Sequence, residues 1–159
     1  MNLARRFDHL DAAITGWMAA HGITLLRLSL GAVFLWFGVL KFFPGLSPAQ
    51  ELAGRTIETL SLGAISAKTA PILLAIVESA IGLGLILGRF LRATLLLLWL
   101  QMLGTITPLF LFPQASFTRL PYAPTLEGQY ILKNVVLISA GIVIGATVRG
   151  GRLTPGATD

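Results

Sequence analysis

The fold is decided by residues 69–87, TAPILLAIVESAIGLGLIL. As a helix these residues would extend about 28 Å at about 1.5 Å per residue, close to the roughly 30 Å of a bilayer's hydrocarbon core. Pro71 falls in the first turn, where its missing N–H costs little. Glu78 is the one ionisable residue of the stretch and stands near its middle. The stretch predicts a transmembrane helix with a carboxyl group deep inside it.

The whole chain has the composition of a membrane protein. Its 159 residues are 55% hydrophobic and 12% charged, whereas soluble domains carry roughly 25% charged residues. Three further apolar runs are long enough to span, at about 23–43, 91–112 and 129–148. We therefore expect a single all-α membrane domain over residues 1–159, built as a bundle of four transmembrane helices.

The segments outside the spans have their own patterns. Residues 1–21 place apolar groups at helical spacing opposite charged ones, which predicts an interfacial helix, although a helix that docks on a partner would look the same. After the first span, Leu52, Ala53, Thr56, Ile57 and Leu60 would form the apolar side of a short external helix over the mouth of the bundle. We expect residues 149–159 to be an irregular tail.

Basic residues indicate the orientation. Arg89 and Arg92 lie in the tight turn between the second and third spans, and short loops with arginine favour the cytoplasm. The expected topology is N-in and C-in, in a multi-pass protein of a bacterial inner membrane.

Several classes of chemistry are disfavoured by the residues present. The sequence has no cysteine, and His9 and His21 both precede the first span, so we expect no metal site, no intrinsic cofactor and no stand-alone redox enzyme. The 12 Lys and Arg residues are scattered between apolar runs, which argues against nucleic acid as a partner.

One polar layer is expected inside the bundle. Glu78 and Gln101 should lie at one depth, Arg27 could extend toward Glu78, and Ser139 lies at a similar level in the fourth span. The functional interpretation is a ligand-binding or proton-relay site. The alternative is a buried ion pair and amide that only fix helix packing.

A second polar group is expected at the outer face, near the end of the first span and the start of the fourth. Its members are Lys41, Thr105, Thr107, Lys133 and Asn134. They could guard the entrance of an anion or quinone pocket, or the lysines could simply reach the headgroups.

Four stretches resemble DoxX-like membrane proteins, especially the branch typified by the YkgB and RclC proteins. They are LLRLSLGAVFLWFGVLKF at 25–42, VESAIGL at 77–83, TITPLFLFP at 105–113 and GQYILKNVVL at 128–137. In the last stretch, Gln129 and Asn134 replace the basic and acidic residues usual in that branch.

The resemblance implies a four-helix inner-membrane protein associated with quinone-linked sulfur oxidation or with defence against oxidants. The leading hypothesis is therefore a membrane subunit or accessory protein that works with a redox-protein partner near the quinone pool, with electrons supplied by that partner or by a bound quinone, and the chain could also form a homo-oligomer. A small proton- or anion-linked transporter and a purely structural membrane subunit are the alternatives.

Overall fold

The structure is a computed structural model that describes residues 3–47 and 50–154, with the backbone alone described for residues 3–6. Its elements are α1 (Leu3–Leu40), α2 (Gln50–Leu60), α3 (Ala70–Leu87), α4 (Leu91–Ile106), α5 (Pro108–Leu111), α6 (Pro113–Ser116), β1 (Phe117–Arg119), β2 (Ala123–Pro124) and α7 (Leu126–Ala146). The two short strands pair antiparallel in the loop before α7.

The predicted four-helix membrane architecture is confirmed. Within the described residues, four helical segments have the length and apolar composition to cross a membrane: Phe7–Leu40, Ala70–Leu87, Leu91–Leu111 and Leu126–Ala146. The end of the bundle covered by α2 is called here the α2 end, and the opposite end, with residues 88–90, the turn end.

The first span differs from the prediction at its start. A separate interfacial helix was expected over residues 1–21, but α1 runs unbroken from Leu3 to Leu40, while residues 1 and 2 lie outside the described part. The segment contains no proline, and glycines 16 and 22 are accommodated within the helix. A helix of 38 residues is about 57 Å long, so it extends well beyond one bilayer thickness.

The third span is interrupted at Pro108. α4 ends at Ile106 and α5 begins at Pro108. Proline has no N–H to donate to Gly104 four residues earlier, and Thr107 Oγ1 donates to the Gly104 carbonyl oxygen at 2.6 Å instead. The threonine therefore satisfies the acceptor that the proline leaves free.

Helices α1 and α3 are in direct backbone contact. A Cβ on Gly82 would stand 2.5 Å from the Leu35 amide nitrogen and 2.8 Å from the Gly31 carbonyl oxygen. A Cβ on Gly38 would stand 2.8 Å from the Ser79 amide nitrogen. Glycine at these positions lets two backbones touch, which is how helices commonly associate in lipid.

The apolar core fills the turn half of the bundle. It comprises Leu30, Phe34, Ile81, Leu85, Leu95, Leu98, Met102, Ala140 and Ile144. Gly141 and Gly145 of α7, four residues apart, pack inside the monomer: the Cβ of Gly141 would stand 3.2 Å from Trp99 Nε1, and that of Gly145 3.6 Å from Leu95 Cδ1. The α2 half of the bundle contains a cavity instead of a closely packed core, and the candidate site lies there.

Candidate functional site

A three-residue polar cluster joins α1, α3 and α4 in the bundle interior. Lys41 Nζ donates to Glu78 Oε2 at 2.7 Å, and Gln101 Nε2 donates to Glu78 Oε1 at 2.9 Å. The Lys41 and Glu78 side chains are only 14% and 10% exposed. Each carboxylate oxygen thus accepts a bond from a different neighbouring segment.

Gly38 allows Glu78 to approach the first helix. A Cβ at residue 38 would lie 2.9 Å from the Glu78 Cβ. Lys41 follows in the turn just beyond α1, and its long side chain reaches the Glu78 carboxylate. The glycine contact and the ion pair therefore belong to the same junction.

The expected pair between Arg27 and Glu78 is not formed. The Arg27 guanidinium donates to the carbonyl oxygens of Leu85 and Ile86, the latter at 3.0 Å, and lies against Gly88. The last carbonyls of a helix lack intrahelical partners, and a planar cation at the C-terminus satisfies them. Because α1 and α3 are antiparallel, these carbonyls lie nearer to Arg27 than Glu78 does.

Ser139 does not join the polar layer either. Its hydroxyl donates to the Val135 carbonyl oxygen at 2.9 Å within α7, on an exposed face. Thr107 is occupied at the Pro108 break. The expectation of one layer joining all four spans is therefore wrong, and the layer consists of Glu78 and Gln101 with Lys41 from the second predicted group.

A cavity of about 500 Å³ lies beside the cluster, in the α2 half of the bundle. Phe34, Phe37, Met102 and Leu137 are among its apolar wall residues. Lys41, Glu78 and Gln101 line it too. Phe34 and Met102 belong to both the core and the wall, so the cavity begins where the packed core ends.

Helix α2 closes one end of the cavity. The five residues predicted to form its apolar side all line the cavity: Leu52, Ala53, Thr56, Ile57 and Leu60. Leu52 and Thr56 are buried. The expectation that this helix covers the mouth of the bundle is therefore confirmed.

Three of the five residues expected at the outer face line the same cavity in addition to Lys41. They are Thr105, Lys133 and Asn134. The Thr105 hydroxyl donates to the Gln101 carbonyl oxygen at 2.8 Å, and Lys133 Nζ lies 5.5 Å from the centre of the Tyr130 ring. Members of the two groups that the sequence suggested as separate sites thus border one space, although Arg27, Ser139 and Thr107 do not line it.

The cluster retains hydrogen-bonding capacity beyond its own bonds. An ammonium group has three N–H donors and a primary amide has two, and the bond to Glu78 uses one on each of Lys41 and Gln101. Gln101 Oε1 is buried and has no hydrogen-bond partner among the described residues. A polar ligand group in the cavity could therefore form hydrogen bonds with both donors and an acceptor of the cluster.

Gly104 is a cavity residue that was not singled out from the sequence. It lines the space, and a Cβ built on it would meet nothing within 4 Å. It stands three residues after Gln101, so the two share a helix face. That spacing was the available signal, because a glycine beside a polar residue on one helix face leaves room for a ligand.

The DoxX family model matches residues 22–113, more than half of the chain. The matched part contains α2, α3, α4 and all three residues of the polar cluster. Comparison with curated proteins and with solved structures found no significant match.

Proposed function

The chain belongs to the DoxX family, and from this premise we propose that it is a membrane subunit or accessory protein of a quinone-linked redox or oxidative-stress system in a bacterial inner membrane. Its cavity would bind the quinone head. Electrons would come from a redox-protein partner or from the bound quinone itself, because the sequence contains no cysteine and neither His9 nor His21 lines the cavity.

The observation that carries the proposal is a polar cluster at one side of an otherwise largely apolar cavity. A volume of about 500 Å³ falls within the range of roughly 300–1,000 Å³ usual for small-molecule sites. Such sites combine apolar walls with a few convergent polar groups. A quinone head needs the same combination, since its ring is flat and apolar and its two oxygens accept hydrogen bonds.

The residues would have separate tasks toward such a ligand. The Lys41 ammonium and the Gln101 amide would donate to a carbonyl oxygen, and Gln101 Oε1 would accept from a hydroxyl of the reduced form. Glu78 holds both donors in position through its two oxygens. It could also take up or release a proton beside the ring.

The proposal is tested by the quinone that accompanies the protein after mild extraction. Purified protein should carry quinone detectable by mass spectrometry, and Gln101→Leu should lose most of it. Gln129→Leu is the matched control, because Gln129 is exposed on α7 and does not line the cavity.

Two results would refute quinone binding in this cavity. One is wild-type protein that neither carries quinone nor binds added quinone in phospholipid nanodiscs. The other is an equal quinone content in the Gln101→Leu and Gln129→Leu proteins.

A further inference from the structure

Most of the exposed side chains around the cavity lie on α1 and α7, and the remaining one is Leu60, 52% exposed at the last residue of α2. Val33 and Phe37 of α1 and Tyr130 of α7 are each 39% exposed, although all three line the cavity. Lys133 of α7 is exposed as well. A side chain that borders an internal space and is also open to the outside marks the edge of an opening.

The other walls are closed by comparison. From α3 and α4, Glu78 and Met102 are buried, and Gln101 and Thr105 are only partly exposed. At the α2 end, the buried side chains of Leu52 and Thr56 lie across the space. Leu60 borders the space only at the last residue of α2, so the opening along the spans is a slot between α1 and α7, and it faces sideways.

The slot lies within the spans. On α1 its edge follows Val33 and Phe37, which are four residues apart and so share one helix face, and it leads toward Lys41 in the turn just beyond the helix. From Val33 to Phe37 this edge extends about 6 Å at about 1.5 Å per residue. Both flanking helices are membrane-spanning candidates, so the slot opens toward lipid.

We propose that this slot is a lateral portal for the isoprenoid tail of a membrane quinone, with the head at the Lys41, Glu78 and Gln101 cluster and the tail lying between Val33, Phe37 and Tyr130. The inference rests on the proposed function and adds the route of entry and the ligand's orientation. The portal's apolar and aromatic edge suits a branched hydrocarbon chain, and a ligand dissolved in the bilayer can enter without passing through water.

The portal is tested by narrowing it and comparing a tailed quinone with a tail-less one. Val33→Trp places a large ring in the slot. Val39→Trp is the control, because Val39 is on the same helix and 42% exposed but does not line the cavity. Affinities are measured in phospholipid nanodiscs, where acyl chains compete for the slot in every sample.

Val33→Trp should weaken binding of the tailed quinone by at least about tenfold and leave the tail-less quinone unchanged, whereas Val39→Trp should alter neither. Unchanged affinity for the tailed quinone in Val33→Trp would overturn the portal while the proposed function stands. Equal loss of both ligands would also overturn it, since the tail would then have no separate route. Absence of binding of either ligand to the wild-type protein would refute the proposed function itself.

A second measurement does not depend on any variant folding. A quinone analogue with a photoreactive group in its tail, cross-linked to the wild-type protein, should label peptides of α1 and α7 that contain Val33, Phe37 and Tyr130. Labelling confined to the outward faces of α3 and α4, such as Leu83 and Leu96, would contradict the portal.

Discussion

Lys41 Nζ lies 2.7 Å from Glu78 Oε2, and this ion pair ties the end of α1 to the middle of α3. Removing one partner of a buried pair leaves an uncompensated charge, which typically costs about 3 kcal/mol or more. Replacing both partners by neutral groups is often far less damaging.

The first prediction follows from this pair. Lys41→Met should lower the free energy of unfolding in mild detergent by about 3 kcal/mol, and Glu78→Gln in the Lys41→Met background should recover much of the loss. The measurement is a double-mutant cycle by chemical or thermal unfolding. Additive losses in the double variant would show that the two side chains are not coupled.

The second prediction concerns Gly104, where a side chain has free space around it. Gly104→Leu should fill part of the cavity and abolish quinone binding without lowering thermal stability, because leucine is a better helix former than glycine by roughly 0.8 kcal/mol. Gly16→Leu is the control, since a Cβ at Gly16 also meets nothing within 4 Å and Gly16 does not line the cavity. Full binding by Gly104→Leu would place the ligand elsewhere.

The third prediction is that Arg27 stabilises the fold and does not take part in ligand binding. Arg27→Leu should destabilise the protein by about 2 kcal/mol, because two carbonyls of the last turn of α3 lose a charged donor. Quinone affinity, measured on the fraction that remains folded, should be unchanged. A large loss of affinity with little change in stability would return Arg27 to the binding site.

The fourth prediction tests the contact between α1 and α3. Gly82→Ala should be strongly destabilising, because its methyl group would meet backbone atoms of Leu35 and Gly31 at 2.5 and 2.8 Å, and a clash of this kind costs typically 1–3 kcal/mol. Gly16→Ala, with open space around it, should leave the melting temperature unchanged or raise it slightly. Equal melting temperatures for the two variants would contradict the close approach.

The fifth prediction is the N-in and C-in orientation that the basic residues favour. The chain contains no cysteine, so single cysteines can report on each side. Ala64→Cys, exposed after α2, should react with an impermeant maleimide in intact spheroplasts, and Thr154→Cys, exposed after α7, only in inverted vesicles. The reverse pattern would invert the topology.

Much of the fold could be predicted because lipid imposes simple rules on sequence. The four spans, the α2 cover and the break at Pro108 each follow from a local pattern: an apolar run of sufficient length, an amphipathic repeat and a missing N–H. The unbroken continuation of α1 was less predictable, since glycine permits a helix end without requiring one.

The residues that belong to the site were more predictable from the sequence than the hydrogen bonds and ion pair that they form with one another. Depth counting correctly put Glu78 and Gln101 together, and they are hydrogen-bonded. It wrongly paired Glu78 with Arg27 instead of Lys41, because the pairing depends on the register of α1 against α3. Backbone contacts at Gly31, Gly38 and Gly82 set that register. A long basic side chain reaches several acceptors, and which one it meets is a tertiary property.

The glycine contacts between α1 and α3 also determine which parts of the bundle can move. Where backbones touch, no side chain can rotate aside to let the helices separate, so this pair behaves as a fixed frame. Any widening or narrowing of the space beside Glu78 must come from α2, α4 or α7 shifting against it. A measurement of backbone motion should therefore find α1 and α3 rigid and the opposite wall of the cavity mobile, whichever ligand enters.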